Sequence, residues 1–256
     1  MPFTFAHPIA AAPIWLGSKR KLDLPSLIIG SMIPDIEYFL SLQPVKTIGH
    51  TFTGILLQGI PYSIALLLIS RYILMRPCLA LLPPRLARHL PSPTSYFSLK
   101  SLYLLNVIGS IIIGASSHLI WDFFIHRTKS VVNHSQRIQA HFSEASMYQL
   151  FHLGSTAIGL IAIVIWLLKW LDRTEYRHQI ETLTPNWRGI AAIAIVLPAF
   201  GLAIVAIEAN HVVGETALEV FVRALIGCIS GTFVGLCLYS IGFWICEKFK
   251  PGSTTI

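Results

Sequence analysis

The chain has 256 residues, of which 54% are hydrophobic and only 12% charged, and its mean hydropathy is +0.66. This composition excludes an ordinary soluble domain, in which about 25% of residues are charged, and predicts an integral membrane protein. The formal net charge of +7 comes from basic residues scattered at the ends of apolar stretches rather than gathered in a patch. We therefore expect membrane lipids as partners and no nucleic acid, and we place the protein in the cell inner (plasma) membrane, crossing it several times.

The N-terminal region is apolar but interrupted. Residues 1–17 precede the first basic residues, which is the reverse of the order in a cleavable secretory signal, so we expect this segment to be retained. Residues 24–42 form a sixth apolar candidate for a membrane span, but two prolines and two acidic residues interrupt it: Pro25, Pro34, Asp35 and Glu37. A proline breaks a helix and a charge is costly in lipid, so the sequence predicts an interfacial or re-entrant helical region here.

Five later apolar stretches are long enough for a bilayer core of about 30 Å. They cover residues 52–74, 102–125, 153–171, 190–207 and 220–245. The predicted fold class is therefore all-α: a polytopic helical bundle of five transmembrane spans plus the N-terminal region. We treat the chain as one membrane domain, with site-forming helices in 1–51, the five-span bundle in 52–246 and a short polar tail in 247–256.

Polar segments separate these stretches. Residues 76–98 contain five prolines, residues 127–149 are rich in His, Ser and Gln, and residues 172–187 are mixed in charge, so each is predicted to be a loop. In the last span, Gly227, Gly231 and Gly235 repeat at a spacing of four, which lets two helices approach closely. We expect this packing to be within one chain, and the sequence leaves the oligomeric state open.

The second span contains three polar side chains on one helix face. His118, Asp122 and His126 follow one another at intervals of four residues. An ionised side chain in an apolar helix costs about 2.5–3.5 kcal/mol on insertion scales, so such groups are usually paired, metal-bound or functional. The spacing predicts a metal-binding face.

Further ligand types come from distant segments. In the five-span topology, His7, Asp35 and His50 lie on the side of the membrane that the end of the second span approaches. Imidazole and carboxylate are ligands of zinc, iron and manganese. The predicted metal ligands are therefore His7, Asp35, His50, His118 and Asp122, with zinc as the first choice and iron or manganese as alternatives. One ion, or two ions bridged by Asp35 or Asp122, both fit the sequence.

Each of these residues also has a structural interpretation. A histidine in a membrane helix is often a hydrogen-bonded packing residue, and His7 before Pro8 is also typical of a helix cap. Asp35 after Pro34 is favourably placed in the first turn of a helix. His50 could simply precede the first span.

Four motifs are similar to those of a known family. They are Met-Pro-Phe-Thr-Phe-Ala-His-Pro (1–8), Gly-Ser-Met-Ile-Pro-Asp-Ile-Glu-Tyr-Phe (30–39), Gly-His-Thr (49–51) and Ser-His-Leu-Ile-Trp-Asp-Phe-Phe-Ile-His (117–126). Together they resemble the uncharacterised bacterial membrane family catalogued as domain of unknown function 4184. More distantly, their order is similar to that of inner-membrane metal-dependent hydrolases and zinc-dependent phospholipases C. That resemblance implies metal binding by the same five residues.

Two hypotheses about function follow. The first is a membrane-embedded metal-dependent hydrolase acting on a lipid or lipid-linked phosphate ester, with Glu37 or His126 orienting a ligand or acting as general base. The second is a non-enzymatic membrane protein whose His/Asp cluster moves or senses ions or protons, or serves packing alone.

Overall fold

The computed structural model describes the backbone of residues 3–45, 48–87, 89, 101–134, 144–173, 182–212, 214 and 216–249. Every regular element within these ranges is helical, which confirms the all-α prediction.

The N-terminal region consists of short helices. A 3₁₀ segment, Thr4–Ala10, leads into α1 (Ala11–Gly17), and α2 (Leu24–Met32) is separated by a 3₁₀ turn from α3 (Ile36–Ser41). Pro34 lies in that turn, so the predicted interruption is confirmed. The nine residues of α2 extend about 14 Å, which is too short to cross a bilayer.

The remaining helices are α4 (Phe52–Leu81), α5 (Pro84–Ala87), α6 (Ser101–His134), α7 (Glu144–Arg173), α8 (Pro185–Ala209) and α9 (Ala217–Lys248). Among the described residues, five helical stretches are long and apolar enough to cross a membrane, and they match the five predicted spans: Phe52–Leu81, Ser101–Phe124, Leu150–Arg173, Asn186–Ala209 and Ala217–Lys248. Helix α4 includes two π-helical stretches, Ile55–Gly59 and Ile69–Leu74.

The three predicted loops are wrong at their ends, and the one predicted for 172–187 includes the last two residues of α7 and the first three of α8. The loop predicted for 127–149 is helical over 127–134 and 144–149, because this segment contains neither glycine nor proline to stop α6 or delay α7. The middle of this predicted loop lies outside the described residues.

Helix α4 also continues into the loop predicted for 76–98 and ends at Leu81. Pro77 lies inside the last α-helical stretch, Met75–Leu81, and the carbonyl of Ile73, four residues earlier, accepts from Trp244 Nε1 at 3.0 Å instead of from a backbone N–H of residue 77.

The described residues divide into two compact units. The first unit consists of the described residues within Met1–Ile36, Thr47–Leu67 and Ser98–Arg173. The second consists of those within Glu37–Lys46, Leu68–Phe97 and Thr174–Ile256. The predicted division into site-forming helices, a five-span bundle and a polar tail is a different one and stays a prediction.

In the second unit, α8 and α9 pack closely along their length. A Cβ added at Gly227, Gly231 or Gly235 of α9 would come within 2.7 Å of a backbone atom of α8. The three glycines therefore let the two backbones touch, and the predicted packing within one chain is confirmed.

Candidate metal centre

Helix α6 contributes the first two side chains of the site. His118 and Asp122 lie one turn apart, with the Nε2 atom of His118 3.8 Å from Oδ2 of Asp122. The His118 side chain is completely buried and that of Asp122 is 6% exposed. The part of the predicted face that contains His118 and Asp122 is therefore buried within the first unit.

A close crossing of α2 and α6 positions His118. The two helices meet at Gly30 and Gly114, where a Cβ on either residue would lie within 2.5 Å of a backbone carbonyl oxygen of the other helix. Only glycine permits this approach. As a result, the backbone carbonyl of Ser31, next to Gly30, reaches the imidazole of His118 one turn beyond Gly114.

The contact with Ser31 determines which nitrogen of His118 faces the cluster. The Nδ1 atom of His118 lies 2.8 Å from the carbonyl oxygen of Ser31, and because a carbonyl can only accept, Nδ1–H is the donor. The Nε2 atom then faces Asp35, whose Oδ1 is 3.6 Å away. Metal-binding histidines are commonly held by such a hydrogen bond from their other nitrogen.

Asp35 enters from the 3₁₀ turn after α2 and is 1% exposed. The hydroxyl of Thr4 donates to Asp35 Oδ2 at 2.6 Å, which leaves Oδ1 facing the histidines. Burial raises the pKa of this carboxyl, but the hydrogen bond from His50, the nearby imidazole of His118 and the Thr4 hydroxyl together lower it more. Its pKa is therefore below the ordinary value, and Asp35 is a carboxylate, the form that binds metal ions.

His50 lies at the start of the first span. The Oγ1 atom of Thr51 accepts from the Gly54 backbone N–H at 2.9 Å and so caps α4, which places His50 just outside the helix. The Nε2 atom of His50 lies 3.1 Å from Asp35 Oδ1 and 3.8 Å from Asp122 Oδ2.

His7 lies on the 3₁₀ segment Thr4–Ala10 and is 1% exposed. The segment is tied to α7, because the backbone N–H of Phe3 donates to Thr156 Oγ1 at 2.9 Å. The His7 ring stacks on that of His118, with centroids 3.7 Å apart and an interplanar angle of 22°.

The separations within the cluster are compatible with a shared metal ion. His50, Asp35, His118 and Asp122 are linked by separations of 3.1, 3.6, 3.8 and 3.8 Å, and only the first is short enough for a hydrogen bond. Two ligand atoms bound tetrahedrally to one ion at about 2.0–2.1 Å are about 3.3–3.4 Å apart. The cluster could therefore bind a metal ion.

Two overlapping groups meet the distance requirement for a shared ion. The first contains His7, Asp35 and His118, the second contains His50, His118 and Asp122, and the ligand atoms within each group lie within 4.8 Å of one another. The structure thus brings together the five residues predicted as ligands, although they come from four segments of the chain.

The two residues predicted as general bases are not part of these groups. Glu37 lies on α3, in the second unit, and is partly buried. The backbone of His126 is part of α6, but its side chain lies outside the described residues. Both roles stay predictions.

Sequence reasoning missed Thr4 and Ser31. Each holds a predicted ligand by one hydrogen bond, across 31 residues from Thr4 to Asp35 and across 87 from Ser31 to His118. Thr4 is in the same motif as His7, and Ser31 is in the same motif as Asp35. This position in a motif was the sequence signal that could have identified them. Ser31 acts through its backbone, so its residue type could not reveal the contact.

The fold and the site define a helical membrane protein with a buried His/Asp cluster that could hold a metal ion. The sequence matches the family model described as Domain of unknown function (DUF4184) over residues 1–241, and the chain belongs to this family. No curated protein and no solved structure matches the chain.

Proposed function

We propose that this protein is a membrane-embedded metal-dependent hydrolase. The observation that supports it most directly is the set of three nitrogen-to-oxygen separations of 3.6–3.8 Å between buried histidines and aspartates. These separations are too long for hydrogen bonds and suit ligands of one ion.

The charges of the cluster fit a divalent ion. Asp35 and Asp122 would contribute two negative charges, and a His118 ring that binds the ion through Nε2 is neutral. A bound Zn²⁺, Fe²⁺ or Mn²⁺ would be balanced by the two carboxylates, which lowers the cost of burying it. We propose zinc as the resident ion, with iron or manganese as alternatives.

The position of the cluster suits a substrate from the membrane surface. Asp122 lies three residues before the end of the apolar stretch 102–125 of the sequence, and His50 two residues before the start of Phe52–Leu81. We therefore place the cluster near the ends of two apolar stretches, at the level of lipid headgroups. His50 and Asp122 are also its most exposed side chains, at 11% and 6%, so we expect the substrate to approach beside them.

The proposed substrate is a lipid or lipid-linked phosphate ester. A bound metal ion would lower the pKa of a coordinated water to about 7 and polarise a phosphoryl oxygen. His50, His118, Asp35 and Asp122 would hold that ion, and Thr4 and Ser31 would orient Asp35 and His118. Glu37 and His126 stay the candidates that the sequence predicts for the general base. We place this activity in the plasma membrane.

The activity is tested with detergent-purified protein loaded with each ion. Phosphatidic acid, phosphatidylcholine and a polyprenyl diphosphate in mixed micelles serve as probes, and release of phosphate or phosphorylated headgroup is measured. We expect Asp122→Asn to lower the rate by at least about 100-fold, as loss of a charge that holds the ion would. His211→Ala, a histidine of the second unit, is the control.

Chelation followed by addition of the metal distinguishes metal-dependent activity from contamination. We expect the rate to fall on chelation and to return with the ion in wild type only. A metal-loaded, folded wild type that cleaves none of the three probes would contradict the proposed substrate class. Equal rates in wild type and Asp122→Asn would show that the activity does not come from this cluster.

Thr4 gives a further prediction. Thr4→Val keeps the size of the side chain but removes the donor to Asp35 Oδ2, so the carboxylate is free to turn away from the histidines. We expect metal affinity to fall by about 10–100-fold, the usual cost of losing a group that orients a ligand. Thr4→Ser retains the hydroxyl and should retain most of the metal affinity of wild type. Competition with a fluorescent chelator measures both, and equal affinities for Val and Ser variants would mean that Thr4 does not orient the ligand.

A further inference from the structure

We infer that the centre holds a single ion, bound by Asp35, His50, His118 and Asp122, and that His7 positions His118 without binding the ion. This inference rests on the metal binding proposed above. It decides between one ion and two, and it gives His7 a role different from the one that the sequence predicts.

The stacking of the two rings separates His7 from the ion. A metal bonded to an imidazole nitrogen lies in the plane of the ring, at about 2.0–2.1 Å from the nitrogen. The rings of His7 and His118 are nearly parallel, at an angle of 22°, and their centroids are 3.7 Å apart. An ion in the plane of His118 therefore lies well above the plane of His7, and the lone pairs of the two rings do not converge on one point.

The hydrogen bond to Ser31 limits the cluster to one ion that includes His118. Both groups that could hold a metal contain His118, but its Nδ1–H is donated to the Ser31 carbonyl, so only Nε2 has a lone pair to offer. His118 therefore cannot bridge two ions. Without it, the first group is reduced to His7 and Asp35, which are too few ligands for a second ion held by the protein.

The charge of the cluster also favours a single ion. The carboxylates of the cluster, Asp35 and Asp122, balance one divalent ion. A second ion would leave two positive charges within side chains that are between 0% and 11% exposed. Burying such charge without a partner is strongly unfavourable.

His7 instead fixes the orientation of His118. Stacking covers one face of the His118 ring, and the Ser31 carbonyl holds its Nδ1 edge. Together these contacts direct Nε2 towards Asp35 Oδ1 and Asp122 Oδ2, at 3.6 and 3.8 Å. An aromatic ring without nitrogen atoms could supply the same stacking contact.

The same substitution at two histidines tests this assignment. His7→Phe and His50→Phe are purified beside wild type, loaded with zinc, and analysed for bound metal per chain and for affinity. We expect one zinc in wild type and in His7→Phe, with affinities within about tenfold of each other. His50→Phe should bind more than about 100-fold more weakly, because it loses a ligand.

X-ray absorption of zinc-loaded wild type counts the imidazoles around the ion without any substitution, so the test does not depend on the folding of either variant. Two imidazoles are expected, from His50 and His118. Three imidazoles, or two zinc ions per chain, would overturn this inference and leave the metal proposal intact. A wild type that binds no zinc, iron or manganese would overturn both.

Discussion

Replacing His118 with alanine is expected to abolish metal binding, the largest effect of any substitution in the cluster. His118 belongs to both groups of residues that could hold an ion, so neither group is complete without it. Since loss of a group that only orients a ligand already weakens metal binding by about 10–100-fold, loss of this shared ligand should weaken it by more than about 100-fold. Elemental analysis of detergent-purified protein measures the effect directly.

Two companion variants make this result specific. Asp122→Asn keeps the size of the side chain, so its expected loss of metal reflects the missing charge rather than a cavity. His211→Ala removes a histidine from the second unit and should retain the ion. If His118→Ala and Asp122→Asn keep as much metal as wild type, or if folded wild type binds none after loading with each ion, the cluster is a packing motif.

Substituting alanine at Gly114 and at Gly109 of the same helix is expected to change stability in opposite directions. Nothing lies within 4 Å of a Cβ at Gly109, so alanine there should stabilise α6 through its helix propensity, which exceeds that of glycine by about 1 kcal/mol. A Cβ at Gly114 would lie 2.3 Å from the carbonyl oxygen of Leu27 and 2.8 Å from the Ser31 nitrogen. Both are backbone atoms of α2, so the helices must separate, at a cost of about 1–3 kcal/mol.

Thermal unfolding in detergent checks the sign of each change. The midpoint should fall for Gly114→Ala and rise for Gly109→Ala. Separation of α2 from α6 also moves the Ser31 carbonyl away from His118, so we expect Gly114→Ala to weaken metal binding while Gly109→Ala leaves it unchanged. Equal midpoints for the two variants would show that the crossing at Gly114 adapts without strain.

The sequence was sufficient for features that depend on one segment at a time. In lipid, a single apolar segment can form all of its backbone hydrogen bonds internally only as a helix. Five stretches of sufficient length could therefore be assigned as spans before any contact was known. The helical repeat placed His118 and Asp122 on one face, and Pro34 predicted the break after α2. The ends of α6 and α7 were missed because polar composition was taken as a loop where no residue stops a helix.

Other features required the tertiary structure. The approach of His50 to Asp35, and of Asp35 to His118, depends on how segments far apart in the chain pack, which periodicity does not encode. The backbone contact from Ser31 to His118 exists only because Gly30 and Gly114 let α2 and α6 touch.

Membrane class, spans and ligand types were thus determined by the sequence alone, because hydropathy and helical repeat act within a segment. The convergence of the ligands, the orientation of His118 and the stacking of His7 were decided by the tertiary structure. These features depend on the distance between helix backbones, and that distance is set by which small residues meet where two helices cross.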